Sequence, residues 1–365
     1  MIYLNNAGTS WPKPKEVHTA ISEFGKLDPG EWHNVFEKGL ETVTAFFDIN
    51  SKDRFLFTSS CTSSLAIALS DFPWNKGDRI LISSMEHHAL SRWYHKLIRE
   101  QGLEGTVIPR AKNGPFDLDL FEKELKKGIR LVAVTMASNV TGEFLPYEEI
   151  LRMSHQYGAK CLLDGAQVAG LYPIDINKLN PDFFVFAGHK GTLGPQGIGG
   201  LYISDSVSMV CPSAICHITS RIKSAIMPSY CDTGSANMAA IAGLTAGIQW
   251  IRQKGFDQLI NHRTHLRLRL QKGLENLNEV EILGNQKDNL TTGAISIQLK
   301  HSNPTIIGQK LWDGFTIKAG AGFQCAPMAH EALGTHERGV LRFSVGVFNK
   351  ESEIDQVLSN LIRTT

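Results

Sequence analysis

The chain has 365 residues, of which 42% are hydrophobic and 20% charged, and its formal net charge is +1. This length allows one large domain or two domains with a substantial core, and the balanced charge gives no sign of nucleic acid or an anionic membrane as a partner. The N-terminus lacks a basic segment followed by an apolar one, and no apolar stretch is long enough to span a membrane, so we expect a cytoplasmic protein.

The six cysteines are scattered along the chain, which is typical of reduced cytosolic thiols rather than a disulfide framework. They are Cys61, Cys161, Cys211, Cys216, Cys231 and Cys325. Cys211, Cys216 and His217 lie close together in sequence, but no second ligand pair follows at metal spacing. We therefore expect no metal site.

Short apolar runs alternate with helical patterns over the first two thirds of the chain. The predicted strands are 55–58, 79–83, 105–109, 131–138, 160–164, 183–187 and 200–204, and the predicted helices among them are 63–69, 91–101, 117–127 and 147–157. Many of the strands are almost entirely apolar, as expected for strands that are covered on both faces. The alternation predicts an α/β fold with a largely parallel, mixed sheet.

The pattern changes after about residue 238. Two long helices are predicted at 238–254 and 256–278, then strands at 294–299 and 340–345 and a terminal helix at 350–363. This order is typical of a smaller α+β unit. We expect residues 15–240 to form a large domain, and residues 1–14 and 241–365 to form a small domain packed tightly against it.

Two oppositely charged residues each follow an apolar strand. Asp164 ends CLLD, and Lys190 ends FFVFAGHK. Ligands of open α/β sheets bind at the carboxyl ends of strands, so both side chains should face one crevice. A desolvated lysine amine can attack an aldehyde, and an acid can pair with a protonated pyridine nitrogen, which suits pyridoxal phosphate (PLP). A buried ion pair without a cofactor explains the same two residues and stays open at this point.

Two further segments could contribute to this crevice. The turn SCTS, at residues 60–63, places backbone amides and hydroxyls at a helix N-terminus, which suits either a phosphate or an ordinary helix cap. The strand RILISSME is followed by His87 and His88, and a histidine there could stack on an aromatic cofactor or transfer protons.

Taken together, the chain resembles the class V aminotransferase family, and within it the NifS/SufS-like cysteine desulfurases. Six motifs occur in the family's order over essentially the whole length: YLNNAGTSWPKP, SSMEHHAL, LLDGAQ, FAGHKGTLGPQGIGG, GFQCAPMAH and VLRFSVGVFNK. The resemblance implies the type I fold of PLP-dependent transferases, a homodimer, and conversion of L-cysteine to L-alanine with sulfur passed to an acceptor.

The resemblance also implies roles for individual residues. For the cofactor ring, it implies that Lys190 forms the Schiff base, that Asp164 pairs with the pyridine nitrogen, and that Gln167 pairs with the ring hydroxyl. It also implies that His87 stacks on the ring. The residues implied to bind the phosphate are Cys61, Thr62, His189 and Ser235 of the partner subunit. For the substrate, it implies that Asn139 and Arg342 bind the carboxylate and that Asn6 and Ala7 lie over the substrate. It further implies that Lys190 and His87 move protons. Cys325 is implied to be the nucleophile that carries the persulfide.

The sequence departs from the relatives at a few positions. Gly320 and Gln324 stand where relatives with this short loop usually have an arginine and a histidine, and Cys61 and Ala187 are unusual in the phosphate site. Two alternatives follow. The chain could be a PLP-dependent C–S or selenocysteine lyase or another class V aminotransferase-like enzyme, or it could be a catalytically silent scaffold with a PLP fold.

Overall fold

The computed structural model describes residues 1–209, 235–284 and 290–364. The strands are β1 (Ile2–Leu4), β2 (Phe55–Thr58), β3 (Arg79–Ser83), β4 (Glu104–Ile108), β5 (Leu131–Thr135), β6 (Lys160–Asp164), β7 (Phe183–Ala187), β8 (Gly199–Ile203), β9 (Val280–Ile282), β10 (Ala294–Leu299), β11 (Ile317–Gly322) and β12 (Val340–Ser344). The α-helices are α1 (Lys15–Phe24), α2 (Trp32–Phe46), α3 (Cys61–Ser70), α4 (His88–Gln101), α5 (Leu118–Leu125), α6 (Tyr147–Gln156), α7 (Ile176–Leu179), α8 (Met238–Lys254), α9 (Phe256–Glu275), α10 (Pro304–Phe315), α11 (Pro327–Ala332) and α12 (Glu351–Thr364). The sequence predicts no metal site at Cys211, Cys216 and His217, and these three residues lie outside the described ranges.

The larger sheet has seven strands in the order β2-β8-β7-β6-β5-β3-β4. Strands β7, β6, β5, β3 and β4 pair in parallel, whereas β8 runs antiparallel to both of its neighbours, β7 and β2. Every residue of β5 and β7 is buried, because helices cover both faces of the sheet. The predicted α/β class with a largely parallel, mixed sheet is confirmed.

Two apolar cores enclose this sheet, one on each face. Helices α2, α5, α6 and α8 contribute to one core, and α3 and α4 contribute to the other. The helices start where side chains can accept from their free N–H groups. Ser60 accepts from the N–H of Ser63 at the start of α3, and Asn237 accepts from the N–H of Ala240 at the start of α8. The strand–helix turns at the carboxyl edge of the sheet are thereby fixed.

The smaller sheet joins the two ends of the chain. Its order is β1-β11-β12-β10-β9, with β1 parallel to β11 and the other pairs antiparallel. Its apolar core lies among the strands and α9, α10 and α12. The sequence patterns missed β1, β9 and β11 as well as α1, α2, α7, α10 and α11. The proposed domain boundary at residue 240 stays a prediction.

Within the described part of the chain, no helix combines the length and the apolar character that crossing a membrane would require. The same residues contain no group of three or more histidine, cysteine, aspartate or glutamate side chains arranged to hold a metal ion.

Candidate active site

A cavity of about 340 Å³ lies at the carboxyl ends of the parallel strands, where the N-terminal segment and the smaller sheet meet the larger sheet. Eleven of the predicted site residues line it: Ala7, Cys61, Thr62, His87, Asn139, Asp164, Gln167, His189, Lys190, Cys325 and Arg342. The predicted residues Asn6 and Ser235 do not. Segments that are more than 300 residues apart in sequence therefore form one site.

Lys190 and Asp164 face the same cavity without forming a direct ion pair. Among the described residues, no oxygen of Asp164 lies within 4.0 Å of the Lys190 amine, although each group influences the other. Burial lowers the pKa of Lys190, and burial raises the pKa of Asp164 against the opposing effect of the Ala166 N–H, 2.9 Å from its Oδ1. The structure therefore does not contain the alternative, a buried salt bridge between Asp164 and Lys190.

This arrangement suits PLP. Two buried ionisable groups stand apart across a cavity, and each lacks an ionic partner in the described chain. The lysine amine matches an aldehyde, and the carboxylate matches a pyridinium nitrogen. The residues that are present thus fit the cofactor that the sequence predicted.

His87 is held as a neutral imidazole with a defined tautomer. It follows β3 and begins α4, where its Nδ1 accepts from the N–H of Ala89 at 3.0 Å. The proton of the neutral ring is therefore on Nε2. Burial, together with the positive charge of Lys190, lowers the pKa of His87 to about 4.

The predicted phosphate end of the cavity lies at the first turn of α3. Ser60 accepts from the Ser63 N–H, and the N–H groups of Cys61 and Thr62 come at the helix start, where no intrahelical acceptor exists. The Cys61 thiol does not point to this end, since it donates to Asp164 Oδ1 at 3.4 Å. Cys61 can therefore serve a phosphate only through its backbone.

Two other residues predicted at the phosphate differ in position. His189 lines the cavity, its Nδ1 is buried without a partner among the described residues, and burial lowers its pKa to about 4. Ser235 is exposed and lies outside the cavity of its own chain. If Ser235 binds the phosphate, it must therefore do so in the cavity of a second subunit.

The opposite end of the cavity is formed around Arg342 on β12. Arg342 is 3% exposed, and burial lowers its pKa to about 10. Its Nη2 donates to Asn5 Oδ1 at 2.8 Å, and its Nη1 donates to the Asn139 backbone oxygen at 2.6 Å. Within the described residues no carboxylate pairs with it. A buried guanidinium that is oriented but not neutralised is suited to an incoming carboxylate.

Cys325 lies in the loop between β11 and α11, beside this arginine. It is exposed, and both it and Gln324 have positive φ angles, 56° and 49°. The loop is attached at two points: the His88 N–H donates to the Cys325 oxygen at 2.8 Å, and Asn139 Nδ2 donates to the Gln324 oxygen at 2.7 Å. The thiol is therefore held at the cavity by backbone contacts, while its side chain remains accessible.

Gly320, at the position of the usual loop arginine, lies beside the contact between Asn5 and Arg342. A Cβ at this position would lie 2.9 Å from Asn5 Oδ1 and 3.2 Å from Arg342 Nη2. A larger residue at this position would require the end of the Asn5 or the Arg342 side chain to shift. Asn5 was not among the predicted site residues, although it immediately precedes Asn6 and Ala7.

The N-terminal segment has a structural role that the motif did not reveal. Gln167 Nε2 donates to the Ala7 backbone oxygen at 3.0 Å, and Asn6 Nδ2 donates to the Ser344 oxygen at 3.0 Å. Asn6 thus fastens the segment to β12, and Ala7 lines the cavity.

Comparisons with known proteins identify the family and the fold. A family model described as "Aminotransferase class-V" matches residues 2–357. Curated cysteine desulfurases of Escherichia coli O7:K1 and Shigella sonnei are 27% and 28% identical, over all of this chain and 93% of each relative. The apo structure of a cysteine desulfurase from Thermococcus onnurineus NA1 is 28% identical, with a TM-score of 0.91 over 99% of this chain and 94% of that one. These matches confirm the predicted type I fold of PLP-dependent transferases.

Proposed function

The chain belongs to the class V aminotransferase family of PLP-dependent enzymes, as the motifs predicted, and we propose that it is a cysteine desulfurase. In the proposed reaction L-cysteine yields L-alanine, and its sulfur becomes a persulfide on Cys325 that is passed to an acceptor. The observation that carries the proposal is an accessible thiol at the cavity that also contains Lys190 and Arg342.

Lys190, Asp164, Gln167 and His87 would hold the cofactor ring, and the first turn of α3 with His189 would hold its phosphate. Bound there, PLP supplies an electron sink for the negative charge that develops at the substrate Cα. This assignment is supported by the buried, separate positions of Lys190 and Asp164 and by the free amides of α3.

The side chains of the chain then share the remaining tasks. Arg342 binds the substrate carboxylate with its planar fork, and Asn139 completes that site. Lys190 accepts the Cα proton, because burial lowers its pKa and favours the neutral amine. His87 Nε2–H donates a hydrogen bond within the cavity, and its low pKa keeps the ring neutral at physiological pH.

Cys325 performs the sulfur transfer. Its thiolate forms an S–S bond with the substrate sulfur as the Cβ–S bond breaks, and the electron pair of that bond remains on Cβ. Protonation of Cβ and return of the Cα proton from Lys190 complete alanine, and the persulfide stays on Cys325. A thiol acceptor then takes the terminal sulfur and regenerates the thiolate.

The test is to incubate the purified protein with L-cysteine and a reducing thiol and to quantify alanine, pyruvate and sulfide. We expect alanine and sulfide in equal amounts. Cys325→Ala should lower the rate at least about 100-fold, since a nucleophile is removed, while the cofactor absorbance is retained. Cys161→Ala is the matched control, because Cys161 is a buried thiol on β6 that does not line the cavity. A full rate for Cys325→Ala would refute the proposed role of Cys325.

A C–S or selenocysteine lyase is the second candidate, and the specific observation in its favour is the loop. Gly320 and Gln324 leave Cys325 without the arginine and histidine that the resemblance led us to expect. Pyruvate and ammonia in place of alanine would identify β-elimination. A purified protein without cofactor absorbance would instead support the third hypothesis, a catalytically silent scaffold with a PLP fold.

We further propose that the protein is a homodimer in which Ser235 contributes to the phosphate site of the second subunit. This is supported by the exposure of Ser235 outside its own cavity. We also place the protein in the cytoplasm, where thiols such as Cys61, Cys161 and Cys325 stay reduced. A sulfur-acceptor protein is the expected partner.

A further inference from the structure

A second, smaller cavity of about 30 Å³ adjoins the candidate active site. Ala7, Ala166, Gln167 and Lys190 line both cavities and form the wall between them. On its far side the smaller cavity is lined by α9 and by the segment that precedes β10. No role proposed so far uses this space, which is large enough for one or two particles the size of water.

Arg263 of α9 lines this cavity and is 1% exposed. Its Nη2 donates to the Leu171 oxygen at 3.0 Å, and its guanidinium lies 4.9 Å from the centre of the Tyr172 ring. Its Nε and Nη1 are buried without a hydrogen-bond partner, and no carboxylate of the described residues lies within 4.0 Å. A buried cation without a counter-charge costs several kcal/mol.

Thr292 supplies a second unused donor in the same place. It lines the cavity, it is 5% exposed, and its Oγ1 is buried without a hydrogen-bond partner in the described residues. A water molecule could accept from these groups, but it would leave the charge of Arg263 uncompensated. A small anion would both accept the hydrogen bonds and neutralise the charge.

We propose that this cavity binds one monovalent inorganic anion of the size of chloride, between Arg263 and Thr292. The site is separate from the one assigned to the substrate carboxylate at Arg342, and its occupancy does not require the desulfurase reaction. The shared wall places it next to the segment that carries Lys190.

Thermal unfolding of the PLP-loaded protein tests the proposal. Sodium chloride or bromide is titrated in place of sodium gluconate at constant ionic strength. We expect a saturable rise in Tm of a few degrees with each halide, because a ligand of the native state stabilises it by mass action. Gluconate, which is far larger than a halide ion, serves as the reference anion and should produce no rise.

Two variants assign the effect to the cavity. Arg263→Met keeps the length of the side chain but removes the charge, and it should abolish the difference between halide and gluconate. Arg269→Met is the matched control, since Arg269 is on the same helix but faces solvent and pairs with Asp355; its halide response should match that of the wild-type protein. If Arg263→Met fails to fold, Thr292→Val should still weaken the halide response while leaving the cation in place.

Crystals grown with bromide provide the direct observation. An anomalous peak between Arg263 and Thr292 is expected. Equal Tm values in halide and gluconate, or bromide peaks only at other positions, would overturn the proposal and leave water as the occupant. Neither readout measures turnover, so a failure here is distinct from a failure of the proposed desulfurase activity.

Discussion

The planar fork of Arg342 is central to the proposed substrate site. One nitrogen donates to Asn5 and another to the Asn139 oxygen, so the guanidinium is oriented before a substrate arrives. A lysine would keep the charge but could not make both contacts.

Arg342→Lys should therefore raise KM for L-cysteine roughly 10- to 100-fold, the loss expected for a bidentate charged contact, with a smaller effect on kcat. Steady-state kinetics with the loaded enzyme measure this. Arg338→Lys is the matched control, since Arg338 is exposed on the nearby loop. An unchanged KM would mean that another residue binds the carboxylate.

Glu86 is a second residue whose role depends on burial. It is fully buried, its Oε1 accepts from Ser83 Oγ at 2.5 Å, and both carboxyl oxygens accept from the Thr135 N–H at 3.0 Å. Burial raises the pKa of Glu86 from 4.5 to about 8. The folded protein thus retains a proton on Glu86 that the unfolded chain releases above about pH 4.5. The contribution of Glu86 to the free energy of unfolding is therefore lost as the pH rises from about 4.5 to about 8.

Glu86→Gln removes this titration. The stability of the variant relative to the wild-type protein should therefore increase with pH, by at most about 5 kcal/mol between pH 4.5 and 8, and then level off. Urea unfolding at several pH values measures the difference. The exposed Glu337→Gln serves as control. Parallel curves for Glu86→Gln and wild-type protein would show that Glu86 is already ionised in the folded state.

The sequence predicted those site residues that belong to linear motifs at strand ends, such as Asp164, Lys190 and His87. It could not predict contacts that depend on side-chain direction. The Cys61 thiol turns to Asp164 rather than to the predicted phosphate end, and Asn5 reaches Arg342 although the two are 337 residues apart in sequence. Such contacts arise only when distant segments pack together.

The same contrast holds for whole elements. Strands such as β3, β6 and β7 were predicted with the bounds observed, because each is a nearly continuous apolar run. Strand β11, with the sequence IKAGAG, has few side chains to form a pattern, and β1 has only three residues. Their positions are set by pairing with each other and with β12, which a local pattern cannot reveal.

Strand β8 also shapes the site from outside the cavity. A Cβ at Gly199 would lie 2.5 Å from the Ser60 carbonyl carbon and 2.8 Å from the Cys61 nitrogen. Both are backbone atoms, so the first turn of α3 would have to move. Gly199→Ala should therefore weaken PLP binding at least about 10-fold, which is about 1.4 kcal/mol.

Equilibrium dialysis followed by absorbance would measure the retention of PLP. Gly314→Ala is the control, because a Cβ there has open space around it. Unchanged PLP affinity in Gly199→Ala would show that the turn of α3 does not hold the phosphate.

At the scale of the whole molecule, the proposed dimer makes a specific prediction. Chains carrying Lys190→Ala and chains carrying Ser235→Trp should each have little activity alone. Co-expressed, they should recover activity, because a mixed dimer contains one site with an intact Lys190 from one chain and an intact Ser235 from the other. Activity at or below the sum of the separate variants, or sedimentation as a monomer with PLP bound, would contradict shared sites.

The pairing of β1 with β11, and of β11 with β12, sets the order of events during synthesis. Ala7 and Arg342, which line the same cavity, are 335 residues apart in sequence. The seven-stranded sheet can assemble when residue 203 has emerged, but the strand that carries Arg342 follows more than 130 residues later. The proposed carboxylate site therefore forms only after β12 has been synthesised, so a chain that stops before β12 would contain Lys190 but would lack the arginine of that site.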